Sequence, residues 1–310
     1  MAQHRPAGFS FPILVRLLRS AFAVLQRNDP LRMAGATAFF TTFALPPILV
    51  ILIQLLKRIL NPRYVRAELF RSLSEIVGPE AVEQTVGVLM AFRQLAQNTW
   101  ITIGGAVFLL FVATTLFTII SNSINQIWKI RPQKRHGLAK RLRTRGHAVV
   151  VILIAGMLFL IGLVAEALQS FIGRAIFDFS PLASFYFNTA VSKIVSLIIV
   201  TLWFGIMFRY LPDARPRWPI ALVGGFVTSL LFAVGRIILR VLLSYSNLNT
   251  LYGTSASVVL LLLFVFYAAL ILYFGAAFTK VWAQHRKTPI APLAHAMHYR
   301  LVETPLDEED

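Results

Sequence analysis

Cysteine is absent from all 310 residues, which excludes a disulfide framework and any thiolate metal site. Charge is scarce too, at 14% of residues, where soluble domains carry about 25%. Acids are the scarcest, 13 against 30 basic residues for a net charge of +17. The chain also has no Gly-rich phosphate loop, no Gly-x-Ser-x-Gly elbow and no pair of carboxylates converging in one span. Its histidines, His4, His136, His147, His285, His295 and His298, have no carboxylate at metal-ligand spacing. No catalytic residue, metal ligand or cofactor is therefore expected, and the chain reads as a protein that is not an enzyme.

What is present is apolar. Hydrophobic residues make up 57% of the chain and the mean hydropathy is +0.70, a composition for lipid rather than water. About 20 apolar residues carry a helix across ~30 Å of hydrocarbon. Six stretches qualify, near Met33–Leu56, Trp100–Ile120, Ala148–Phe171, Ala190–Phe208, Trp218–Leu243 and Thr254–Thr279. The expected fold class is all-α, a polytopic membrane bundle of six transmembrane helices with interfacial amphipathic helices. Trp100, Trp128, Trp218 and Trp282 fall near span ends, where aromatic residues sit at a membrane interface.

The basic residues set the expected orientation. One side collects the N-terminal segment, "KIRPQKRHGLAKRLRTR" (Lys129 to Arg145), "RYLPDARPR" (Arg209 to Arg217) and the tail from Lys280, while the other collects loops with few or no charges. This predicts both termini in the cytoplasm. In a soluble protein Lys129 to Arg145 would suggest RNA. Here it reads as a positive-inside determinant that meets anionic lipid head groups, and no nucleic-acid partner is expected. The organisation follows: 1–32 as a cytoplasmic segment with the interfacial helix "FPILVRLLRSAFAVLQR", 33–282 as the transmembrane domain, and 283–310 as a partly disordered cytoplasmic tail ending in the acidic "ETPLDEED". Residues 62–97 show helical apolar spacing interrupted by Gly78-Pro79, and are expected to form amphipathic helices on the outer surface. Self-association into a homo-oligomer is left open.

Two features within the spans carry chemistry. In "FFTTFALPPILV", Pro46 and Pro47 remove two backbone donors and free the carbonyls of Thr42 and Phe43. A broken or kinked first span is expected, with the hydroxyls of Thr41 and Thr42 available to compensate. Ionisable residues inside spans are the second feature: Glu166, Lys193, Arg236 and Arg240. Arg236 and Arg240, at i and i+4, share a helix face and could fork onto a phosphate or carboxylate, with Lys193 adding a point charge and Glu166 holding an arginine between ligands. The plainer reading, of equal weight, is snorkelling or a structural ion pair. Asn122, Asn125 and Gln126, at the end of the second span, either hydrogen-bond between helices or line a pathway. Gly104-Gly105 and Gly224-Gly225 read as close helix packing.

Two blocks resemble the YihY/BrkB family of inner-membrane proteins, once mislabelled as ribonuclease BN. They are "GATAFFTTFALPPILVILI", with Pro47 at the family proline, and "YGTSASVVLLLLFVFYAALILYFGAAFTKVW". The number of spans, the basic second loop and "RYLPD" extend the resemblance over almost the whole chain. Ala44 replaces the usual serine, Pro46 is an added proline, Phe264 stands where Trp is common, and Ala277 stands where the family often has Glu. The resemblance implies a bacterial inner-membrane protein with a six-helix core, associated with envelope integrity. Two functions are compatible with this: transport of an anionic lipid or lipid-linked envelope precursor through a site at Arg236, Arg240, Lys193 and Glu166, or a non-catalytic scaffold recruiting envelope partners through residues 62–97 and the acidic tail.

Overall fold

A computed structural model of the chain describes residues 11–56, 99–133, 181–245 and 256–300, and these are mostly helical. In chain order they form α1 (Phe11–Gln26), α2 (Pro30–Leu56), α3 (Thr99–Trp128), β1 (Ile130–Pro132), α4 (Pro181–Tyr210), β2 (Ala214–Arg215), α5 (Trp218–Tyr245), α6 (Ala256–His285), β3 (Ala291–Pro292) and β4 (Ala296–His298). Among the described residues, three segments are long and apolar enough to cross a membrane: Lys193–Tyr210, Trp218–Ile238 and Val259–His285. The stretch expected as the third span, 148–171, and the amphipathic segment 62–97 lie outside the described residues.

The most apolar helix, α6, is the hub, touching α1, α2, α3 and α5, while α4 packs along α5. Helices in lipid gain nothing from hiding apolar surface from each other, so close approach has to come from small residues. On α5 and α6 this is reciprocal. A Cβ on Gly224 would lie 1.9 Å from Thr279 Oγ1, and one on Gly275 would lie 1.9 Å from Thr228 Oγ1. Each glycine is a socket for the facing threonine. Gly225 serves α4 in the same way, since its Cβ would come within 2.5 Å of the Thr201 carbonyl, and beside it the Thr201 and Ser229 hydroxyls share a 2.8 Å hydrogen bond. Exposed rows run along the outward faces, Phe226, Leu230, Val234 and Ile237 on α5 and Ile194, Ile198 and Leu202 on α4, as an apolar surround requires.

Helix α1 sits closer to the bundle than a surface helix would. Leu17, Ala21 and Leu25, at four-residue spacing, are buried, and the helix packs against α6. The chain then turns at Asp29 (φ 52°) into α2. That helix runs through Pro46 and Pro47 as one assigned element, so it is not broken. The Thr41 and Thr42 hydroxyls donate to Thr37 O and Ala38 O, one turn back, rather than to the carbonyls the prolines free.

The all-α expectation needs one addition. β1 pairs with β4 and β2 with β3, both antiparallel, so the segment after α6 folds back over one end of the bundle. Strands of two or three residues are too short to show an alternating pattern in the sequence. Residues 291–300 of the expected cytoplasmic tail are thus ordered by pairing, and the acidic stretch beyond them lies outside the described residues. Lys129 ends α3 with φ 58°, a left-handed conformation that costs a residue bearing a Cβ roughly 1 kcal/mol. Its ammonium offsets this by donating to Asn28 Oδ1 at 3.0 Å.

Candidate functional site

Polar groups in the described bundle divide between two ends. At the strand-bearing end, Asp213 follows α4 in "RYLPD". Its Oδ2 accepts from Asn125 Nδ2 (3.0 Å), its backbone N–H donates to Asn125 Oδ1 (2.9 Å), and its Oδ1 lies 3.0 Å from His295 Nε2. The Asp213 carbonyl accepts from Leu293 N–H (2.9 Å), and Ser121 Oγ donates to Leu211 O (2.9 Å). One short loop is thereby bolted to α3 and to the returning tail. Asn125 is buried and Gln126 reaches the Asn28 carbonyl at 3.4 Å, whereas Asn122 is exposed. The first two are therefore engaged between elements, and the third is not part of that network.

Other buried polar groups tie helices together. The Thr37 and Tyr273 hydroxyls share a 2.5 Å hydrogen bond between α2 and α6, and Trp128 Nε1 donates to Ala276 O at 2.9 Å. Trp128 and Trp282 are buried within the bundle, while Trp218 is exposed beneath the Arg209 guanidinium, 5.0 Å above its ring. Ala44 and Ala277, two of the departures from the family pattern, are fully buried and apolar.

The far end is different. Arg236 lies on α5 roughly 27 Å along the axis from Trp218 at 1.5 Å per residue, close to the full ~30 Å of a hydrocarbon core. Its guanidinium lies 5.5 Å over the Phe232 ring, whose other ring neighbours are Phe204 (6.0 Å), Phe264 (6.1 Å) and Tyr267 (6.3 Å). The Tyr267 hydroxyl donates to Phe232 O at 2.9 Å. Gly235 lets α6 come this close, since a Cβ there would meet the Tyr267 hydroxyl at 1.9 Å. Arg236 Nε is buried with no hydrogen-bond partner among the described residues. Continuing the antiparallel register of Thr201–Ser229 by two turns puts Lys193, which is exposed, at the level of Ile237, next to Arg236. Asp29 and Asp213 are the only acids among the described residues, and both belong to the strand-bearing end. Arg240 lies one turn further along α5, and Glu166 is outside the described residues.

The family model "Virulence factor BrkB" matches residues 21–299. The chain belongs to the BrkB family. Similar BrkB-family relatives are UPF0761 membrane proteins. That of Pseudomonas paraeruginosa is 27% identical over 89% of this chain and 63% of its own length. Those of Teredinibacter turnerae and Chromohalobacter salexigens are 23% and 24% identical, over 88% and 89% of this chain and 61% and 65% of theirs. The chain thus spans less than two thirds of the length of these relatives. No solved structure matches it. It is a bacterial membrane protein by kinship as well as by its apolar helices. Asp213 and His295 escaped the sequence reading because their meaning lies in contacts with residues more than eighty positions away; the one signal was Asp213 in "RYLPD".

Proposed function

We propose that the chain is a carrier, not an enzyme, that moves an anionic lipid or lipid-linked envelope precursor across the bacterial inner membrane. In this reading the strand-bearing end and both termini face the cytoplasm. Arg236 is the principal anion ligand, Arg240 and Lys193 add charge, and Glu166 neutralises an arginine between ligands. The reading counts six spans, with 148–171, outside the described residues, as the expected third. The helices that frame the site are bent or slid at α2, where Pro46 and Pro47 each remove one donor from the hydrogen-bond ladder.

The observation that carries the reading is the Arg236 Nε group, buried without a partner among the described residues on an otherwise apolar helix face. A buried donor on a charged group costs ~1–3 kcal/mol when left unmade, and an anionic head group repays it through forked hydrogen bonds. Stacking on Phe232 holds the guanidinium plane in place while leaving its edge free to donate.

The test is translocation of a fluorescent anionic phospholipid in vesicles holding the purified protein. Arg236→Ala should reduce movement at least tenfold while the protein keeps its unfolding temperature. Unchanged movement in that variant, together with loss of envelope function on deleting 62–97, would move the assignment to a scaffold.

A further inference from the structure

At the strand-bearing end the last residues of α3, the last turns of α6 and the residues around β4 border a half-open cavity of about 460 Å³. Trp128, Lys129, Lys280, His298, Tyr299 and Arg300 line it, and no carboxylate does among the described residues. We propose that this cavity binds a phosphorylated organic anion. It shares no residue with the far-end arginine, so it stands or falls separately from the carrier reading.

Structural duty uses one donor of each lysine and leaves the rest over, along with Arg300. Lys280 Nζ donates to Ile127 O at 2.7 Å, at the negative end of α3, where a positive charge is favourable. Capping one helix end requires one ammonium. Lys129 and Arg300 bring further like charges to the same space, and repulsion among them is relieved by an anion. Donors are also left over. An ammonium has three N–H bonds, and Lys280 and Lys129 direct one each at Ile127 O and Asn28 Oδ1. Tyr299, which lies under the Lys129 ammonium at 5.9 Å, adds a ring face beside the cations.

Size selects the ligand class. The volume lies within the ~300–1,000 Å³ range of small-molecule sites, more than a bare phosphate fills. A phosphate held by Lys129, Lys280 and Arg300, with its organic part against Tyr299, satisfies both charge and space. Two sources carry that chemistry, a soluble phosphomonoester and a membrane phospholipid head group.

The experiment uses the full chain in nanodiscs, with calorimetric titration for the first source and thermal unfolding for the second. Glycerol 3-phosphate is titrated into phosphatidylcholine discs with glycerol as the control, and phosphatidic acid discs are compared with phosphatidylcholine discs. Saturable binding of glycerol 3-phosphate identifies a soluble ligand, and a rise in unfolding temperature confined to phosphatidic acid identifies a lipid head group. In whichever arm responds, with Arg236→Gln as the background so that the far end is silent, Arg300→Ala should weaken binding about tenfold or remove the rise. Lys280→Gln, which keeps a donor for Ile127 O, should do at least as much, and Lys287→Ala, exposed and outside the cavity, should do nothing. Silence in both arms overturns the proposal, as does a response that the folded Arg300→Ala and Lys280→Gln variants both retain.

Discussion

The two ends of this bundle treat charge in opposite ways. At the strand-bearing end Asp213 is held by Asn125 through two hydrogen bonds and by His295 through a third, and the Lys280 and Lys129 ammoniums each hold a carbonyl oxygen. Arg209, whose Nε is also unpartnered among the described residues, still donates from its guanidinium to Pro216 O. At the far end Arg236 stacks on a phenylalanine with its Nε unpartnered among the described residues, and Lys193 is exposed. A group whose hydrogen bonds are made within the fold is chiefly stabilising. A part-buried guanidinium that makes no hydrogen bond to the described residues, as at Arg236, is available to something that comes and goes. The contrast separates residues whose loss should unfold the protein from those whose loss should silence it.

The largest effect expected is at the seam joining the two ends. Gly225→Ala drives a Cβ to 2.5 Å from the Thr201 carbonyl, a backbone atom that cannot rotate away, and should cost about 3 kcal/mol, read as a fall in unfolding temperature in detergent or nanodiscs. Next is Asp213→Ala, which orphans the Nδ2 group of the buried Asn125, though the backbone N–H at 213 still reaches Asn125 Oδ1, and should cost about 2 kcal/mol. His295→Ala leaves the Asn125 pairing intact and removes a partly exposed contact, so it should cost below about 1 kcal/mol. If His295→Ala proved as damaging as Asp213→Ala, the tail would be holding the loop as firmly as α3 does. Arg236→Gln should have the smallest effect on stability and the largest on lipid movement.

How much of this was legible in the sequence depends on the range of each interaction. Helix positions follow from local apolar runs, and the observed helices cover five of the six expected stretches, with 148–171 outside the described residues. Gly224-Gly225 was readable because small residues have one main use in packed helices, and the sockets for Thr279 and against Thr201 confirm it. Trp128 was readable as near a span end, but not that its ring is buried and its N–H bonds Ala276. The sequence shows where a tryptophan lies along a helix, not which neighbour covers it. Likewise Asn125 was visible as a polar residue near the end of an apolar span, but its partner Asp213 is 88 positions on. The prolines illustrate the same limit, since the threonine hydroxyls next to them were readable and the carbonyls they choose were not.

The most direct test sets the two ends against each other in one measurement: unfolding temperature of wild type, Asp213→Ala and Arg236→Gln in nanodiscs of phosphatidylcholine and of phosphatidylglycerol. The account predicts that Asp213→Ala melts lower than wild type by a similar margin in both lipids, while Arg236→Gln matches wild type in phosphatidylcholine and falls behind it only in phosphatidylglycerol, where wild type gains a ligand. An Arg236→Gln protein that melts as low as Asp213→Ala in phosphatidylcholine would contradict it, because the arginine would then be holding the fold together.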